Sequence, residues 1–250
     1  MTVIDRTIAT KRVPMNSLRK TALTAGVIYL ITFISIPTLA LYGPVRNDPN
    51  YIVGPGPDTP VILGGVLEII VALACIGTAV VLYPVVKRQN EAVALGFIGA
   101  RVLEAAAIFA GVVSLLSVVT LRQAGAGADA LVTGQSLVAL NNWTTLLGQG
   151  LMPAVNALLL GSLLYRSRLV PRIIPLVGLI AAPVLVASGI ATLFGLNEPV
   201  SALSALAALP IALWEFSLGV WLIVKGFRPS PITAGMPAAS TPHTYHDAVV

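Results

Sequence analysis

Arg101 and Glu104 stand three residues apart in Arg101-Val102-Leu103-Glu104, inside the apolar run Val93 to Thr120. That spacing puts a base and an acid on one face of a helix. Charged side chains at membrane depth are costly and mark either a functional site or a contact between helices. Glu68 and Glu215 lie inside two further apolar runs, Glu215 directly after Trp214. Gln149 and Asn156 are seven apart in a fourth run, and so close to one helical face. The chemistry open to this set is charge pairing, hydrogen bonding and proton exchange. Arginine stays charged under nearly any condition. A lone ionised carboxylate in hydrocarbon must pair, reach water or take a proton. Three acids inside the runs face one base. Arg101 is therefore expected to pair with Glu215 or Glu104, and at least one glutamate to hold a proton at neutral pH. The expected ligand-binding set is Glu68, Arg101, Glu104, Asn156, Glu215 and Trp214, the last through its indole N–H. The same residues can equally serve as helix-to-helix contacts, each worth roughly 0.6–2 kcal/mol in a membrane bundle.

Positioning them requires membrane helices. The 250-residue chain is 56% hydrophobic and 10% charged, with a mean hydropathy of +0.90. Soluble domains carry about 25% charged residues, and a chain this apolar cannot cover itself with polar surface. The runs expected to span are Thr21 to Tyr42, Val61 to Val86, Ala92 to Thr120, Asn142 to Tyr165, Ile173 to Leu196 and Ser201 to Val224. Each reaches the roughly 20 residues that a bilayer demands. The fold class is thus all-α, a polytopic transmembrane bundle of about six helices. Gly148, Gly150 and Pro153 crowd the fourth run, where a kink is expected. Gly43 to Pro60 is dense in proline and glycine and is expected to be an irregular exposed loop, with Asp48 and Asp58 solvated. Ala128 to Leu140 is expected as a short surface helix.

Counting about 1.5 Å per residue puts Glu104 and Glu215 near mid-depth and Glu68 nearer the outer end. The domain expected is 15–228, between a disordered tail 1–14 and a disordered tail 229–250. The first apolar run is too long for a usual signal core, so an uncleaved first helix is favoured over the competing secretory signal. Met15 offers itself as an alternative start to Met1.

Loop charges set orientation. With the N-terminus inside, Lys11, Arg12, Arg19, Lys20, Lys87, Arg88, Arg166, Arg168, Arg172, Lys225 and Arg228 fall inside. Arg46 and Arg122 fall outside, with Asp48, Asp58, Asp129 and Glu198. Basic residues gather on the cytoplasmic side, so both termini are expected there. The net charge of +5 reflects this anchoring rather than a nucleic-acid stripe. Trp143, Trp221, Tyr29, Tyr42, Tyr83 and Tyr165 read as interfacial anchors. Cys75, the single cysteine, reads as a small buried apolar residue. There is no Gly-x-x-x-x-Gly-Lys-Ser/Thr loop, no Gly-x-Ser-x-Gly elbow and no His-Glu-x-x-His, which argues against the chemistries those motifs carry. His243 and His246 lie three apart in the Pro-rich tail, where a metal site is not expected. No cofactor is expected.

The chain resembles a bacterial multi-pass membrane family catalogued as domain of unknown function 4386. The resemblance covers roughly Met15 to Arg228 and rests on Leu18-Arg19-Lys20-Thr21-Ala22, Leu67-Glu68 and Arg101-Val102-Leu103-Glu104. It continues through Leu164-Tyr165-Arg166-Ser167-Arg168-Leu169-Val170-Pro171-Arg172, Leu213-Trp214-Glu215 and Lys225-Gly226-Phe227. It implies an integral protein of the bacterial inner membrane, with no activity to carry over. Three readings stay open. One is a small-molecule or proton-linked binding or transport protein, although no internal repeat of the kind many transporters show is evident. Another is a structural or regulatory membrane partner without pocket chemistry. The last is a lipid- or quinone-modifying enzyme, which needs water and a reactive pair within about 3 Å. Expected partners are membrane lipids; a small-molecule ligand and a second copy of the chain stay open.

Overall fold

The structure is a computed structural model that describes residues 16–197 and 201–234. Glu198, His243, His246 and the tail 1–14 lie outside the described residues, as do most of 229–250. Among the described residues there is no strand. Six helices are long and apolar enough to cross a membrane: α1 Ser17–Leu41, α2 Thr59–Val86, α3 Glu91–Gln123, α4 Ala128–Ser167, α5 Ile173–Leu193 and α6 Ala202–Val224. Each packs against the next, and α1 closes the ring against α6.

Local chemistry explains where the helices start. The Asn16 side chain accepts from the Leu18 N–H, Asn90 from Val93 N–H and Ser201 from Ser204 N–H. These are ordinary N-caps, satisfying donors that have no partner inside the helix.

α1 is regular only as far as Ile31. It continues as a 3-10 segment, Thr32–Ser35, and a short turn of helix, Thr38–Leu41. Pro37 withholds an N–H there. The hydroxyls of Thr32 and Thr38 bond back to the carbonyls of Tyr29 and Ser35 at 2.7 and 2.6 Å. α4 is the other irregular span. The expected kink takes the form of a π-helix, Leu146–Leu151. The expected surface helix before it is instead the beginning of α4, which runs on without a loop. Leu131, Leu137 and Val138 pack there on a cluster that includes Tyr51 and Ile52, so this stretch joins the bundle.

The outward faces are apolar. Leu73, Val80, Val113, Ile180, Leu206 and Leu209 are all exposed, the arrangement suited to hydrocarbon as solvent. Glycines permit the closest crossings. A Cβ on Gly26 of α1 would sit 2.6 Å from the Gly219 carbonyl oxygen of α6, and one on Gly178 of α5 would sit 2.6 Å from the Trp214 ring.

The 43–58 segment departs from expectation. Gly43–Asn47 is helical and Tyr51–Val53 is 3-10. Pro44 is tolerated because it occupies the first turn. Asp58, expected to be solvated, is clamped. Arg122 donates Nε–H to its Oδ1 at 2.7 Å, and Nη2 ion-pairs with Oδ2. Gln123 donates to Oδ2 at 2.9 Å, and the Tyr51 hydroxyl lies 3.0 Å from Oδ1 and 2.8 Å from the Pro57 carbonyl oxygen. The Arg122 bond holds the Asp58 carboxyl below its ordinary value, and burial with the Asp58 bond pushes the Tyr51 hydroxyl up to about 12.

At the opposite end the first residues of the expected disordered tail are ordered. Pro231–Thr233 is a 3-10 turn, Ser230 donates to the Ser167 carbonyl at 2.6 Å, and the Arg228 N–H bonds the Leu169 carbonyl at 2.7 Å.

Candidate functional site

α3 turns Ala94, Phe97, Ala100, Arg101, Glu104, Ala105 and Ile108 inward. Steps of three and four residues are a single helical face, so the charged pair points into the bundle with the apolar side chains around it. Arg101 is 1% exposed. Its Nη1 donates to Glu104 Oε2 at 3.0 Å and to the Cys75 sulfur of α2 at 3.6 Å. Its Nη2 donates to Glu215 Oε1 of α6 at 3.0 Å and to the Tyr29 hydroxyl of α1 at 3.0 Å. Asn156 of α4 donates to Glu104 Oε2 at 2.7 Å. The guanidinium lies 5.2 Å from the centroid of the Tyr29 ring and 5.7 Å from that of Phe97, within cation–π range. One arginine thus touches side chains from α1, α2, α3 and α6, and reaches α4 through Glu104. It pairs with both glutamates that the sequence offered as alternatives. Two buried atoms of this centre, Arg101 Nε and Asn156 Oδ1, have no partner.

Glu68 is not part of this centre. It is 6% exposed and makes its contacts closer to the end of the bundle where α1 finishes and α2 begins. The Thr38 hydroxyl of α1 is 3.0 Å from Oε1, and Gln149 of α4 donates Nε2–H to Oε2 at 2.8 Å. Both partners sit on irregular backbone. Thr38 follows the 3-10 break of α1, and Gln149 is in the π segment of α4. A π segment adds a residue to the turn and re-aims the side chains after it. Gly148 makes this possible, since a Cβ there would meet the Ala107 Cβ at 2.7 Å.

Trp214 is also apart. It is fully buried with its ring over Gly178, and its indole N–H has no partner. It packs α6 on α5 and makes no hydrogen bond to Glu215. Sequence reasoning passed over three contributors. Tyr29, expected as an interfacial anchor, instead meets Arg101, and Cys75, buried as expected, also accepts from it. Arg46, read as a loop charge, donates Nε–H and Nη2–H to Asn141 Oδ1 at 3.0 and 2.7 Å, and Nη2–H to Thr145 at 3.1 Å. For Tyr29 the available signal was its place on the Ala22, Ala25, Gly26 face of α1.

Two cavities open toward the end of the bundle where α3 finishes and α4 begins. One, of about 610 Å³, lies between α4 and the α5–α6 connection, with Trp143, Thr192 and Asn197 in its wall. The other, of about 410 Å³, is lined by Arg46, Asp48, Tyr51, Gln135 and Asn142 among others. Neither is lined by Arg101, Glu104, Glu215 or Glu68.

No curated protein and no solved structure matches the chain. A family model described as Domain of unknown function (DUF4386) matches residues 24–226. That stretch takes in α2 to α6 whole, α1 from residue 24 onward, both irregular segments and every residue of the Arg101 centre, and the chain belongs to the DUF4386 family.

Proposed function

We propose that this integral membrane protein is a small-molecule or proton-linked binding or transport protein. In this reading it resides in a bacterial inner membrane with both termini in the cytoplasm. The observation that carries it is the imbalance inside the Arg101 centre. Two carboxylates share one guanidinium at 3.0 Å each, and no second cation contacts them among the described residues. In a low-dielectric interior such a set favours a proton or a cationic guest. The unpartnered Arg101 Nε and Asn156 Oδ1 leave hydrogen-bonding capacity for a water or a small polar group. A second copy of the chain fits this role, because six spans make a small transporter.

The test is flux of cationic dyes in vesicles containing the purified protein, with and without a pH gradient. Dye movement should follow the gradient and fall in Glu104→Gln. Indifference to both the gradient and the substitution counts against the proposal. A structural or regulatory role is the second reading. It is favoured by the sealing of Arg101, which lines neither described cavity. Under that role the same vesicles are silent, and crosslinking in cells recovers one reproducible membrane partner.

A further inference from the structure

Thr38 has one hydroxyl proton and two acceptors within reach. Its oxygen lies 2.6 Å from the Ser35 carbonyl oxygen and 3.0 Å from Glu68 Oε1. A hydroxyl supplies a single donor and two lone pairs. A carbonyl oxygen only accepts, so the Ser35 contact uses the Thr38 proton. Both contacts are hydrogen bonds at once only if Glu68 donates to Thr38, as a carboxylic acid with its proton on Oε1. Oε2 takes the remaining role, accepting the Gln149 amide N–H at 2.8 Å. An ionised Glu68 would reverse the arrangement. Both its oxygens would accept, and Thr38 would have to turn its O–H away from Ser35.

The surroundings are those of a group that works without a fixed counter-ion. Glu68 forms no salt bridge among the described residues, unlike Glu104 and Glu215. The charged and titratable groups that face it are Arg46 and Tyr42, both from the segment following α1. Arg46 is engaged by Asn141 and Thr145. The Tyr42 ring lies against Gly64, one turn before Glu68 on α2, and its buried hydroxyl has no partner. From α4 comes the neutral Gln149. Broken and irregular spans are where membrane proteins place ion sites, and here one from α1 and one from α4 meet the same carboxyl.

We propose that Glu68 is a proton-binding site, and that its proton and the Thr38 bond to Ser35 are held or lost together. On ionisation the Oε1–H bond breaks and the proton leaves to water. The Thr38 O–H then rotates from the Ser35 oxygen to Oε1, releasing the turn at Ile36–Pro37. Reprotonation restores the turn. The site is separate from the Arg101 centre and does not depend on the role proposed for it.

Infrared difference spectroscopy of the full chain in sodium-free vesicles, stepped across pH, tests this. A protonated-carboxyl C=O stretch should be present at neutral pH and disappear in Glu68→Gln. It should survive in Glu104→Gln and Glu215→Gln, which separates it from any proton held in the Arg101 centre. Thr38→Val should shift the band, because Oε1 loses its acceptor. Amide-exchange protection over 32–42, taken relative to the intrinsic rate at each pH, should fall across the pH range in which the band is lost, and stay constant in Glu68→Gln. A band unchanged in Glu68→Gln, or one lost with no change in protection, overturns the proposal. If Glu68→Gln does not fold, an unshifted band in Thr38→Val overturns it alone.

Discussion

Arg101 is the residue whose loss should be felt most. Removing one member of a buried charge pair leaves the others unpaired and costs about 3 kcal/mol. Arg101→Met leaves both Glu104 and Glu215 without their cation. Glu68→Gln replaces a group whose partners are neutral and should cost about 1 kcal/mol or less. Thermal unfolding of purified variants in detergent should rank them in that order, and the opposite ranking refutes the keystone role of Arg101. Tyr29→Phe removes a single acceptor while keeping the ring under the guanidinium. It should fall between them, at about 1 kcal/mol. The reach of sequence reasoning is visible in these same residues. Arg101 and Glu104 were legible because their spacing in one helix fixes their geometry. Glu215 and Asn156 followed from depth counted along separate helices. Glu68 makes its contacts apart from the Arg101 centre, because a count along the chain says nothing of how each helix is rotated or of the two levels at which α4 supplies partners. Tyr29 was missed because aromatic residues near span ends are usually interfacial, and only packing against α6 and α3 shows it turned inward.

Among the helices, what the sequence left open is contact rather than existence. Hydropathy fixes which runs span, since each must be long enough for the bilayer. It is blind to α4 continuing upstream to Ala128, because those turns pack on the 43–58 segment. It is equally blind to which glycines matter. Gly26 meets the backbone of α6, whereas Gly99 has nothing within 4 Å of where a Cβ would stand. Gly26→Ala should therefore cost about 2 kcal/mol, because backbone cannot step aside. Gly99→Ala should be neutral or stabilising by at most about 1 kcal/mol. Equal effects in the same unfolding assay contradict the α1–α6 crossing. The clamp between α3 and the 43–58 segment is sensitive to pH. Arg122 holds the Asp58 carboxyl below its ordinary value. A carboxyl depressed by folding adds stability above its unfolded value, and loses it as pH falls through the folded one. Proteolysis of the 48–58 loop should accelerate below the ordinary carboxylate range, while Asp58→Asn should be cut readily at all pH values. A wild-type loop whose cleavage ignores pH argues against the clamp.

Taken as one body, the protein is electrically lopsided. Arg19, Lys20, Lys87, Arg88, Arg166, Arg168, Arg172, Lys225 and Arg228 lie at the end where α1 begins and α6 finishes. Contacts tie that end together: Arg19 donates to the Leu222 carbonyl at 2.8 Å and Arg88 to the Ile232 carbonyl at 3.4 Å. The two cations of the other end are not free. Arg122 is neutralised by Asp58, and Arg46 is held by Asn141 and Thr145. The folded asymmetry is thus larger than a count of loop charges conveys. Positive residues flanking spans are retained in the cytoplasm, so the basic end should face inward and the two cavities outward. Cys75 is buried and should stay silent to an impermeant maleimide, leaving introduced cysteines at exposed positions as the only reporters. Ala128→Cys and Pro229→Cys occupy opposite ends at exposed residues. In intact cells the reagent should label Ala128→Cys and spare Pro229→Cys, and opening the cells should expose both. The reverse pattern would turn the molecule over, put the two cavities on the cytoplasmic face, and reverse the direction from which Glu68 is nearest to water.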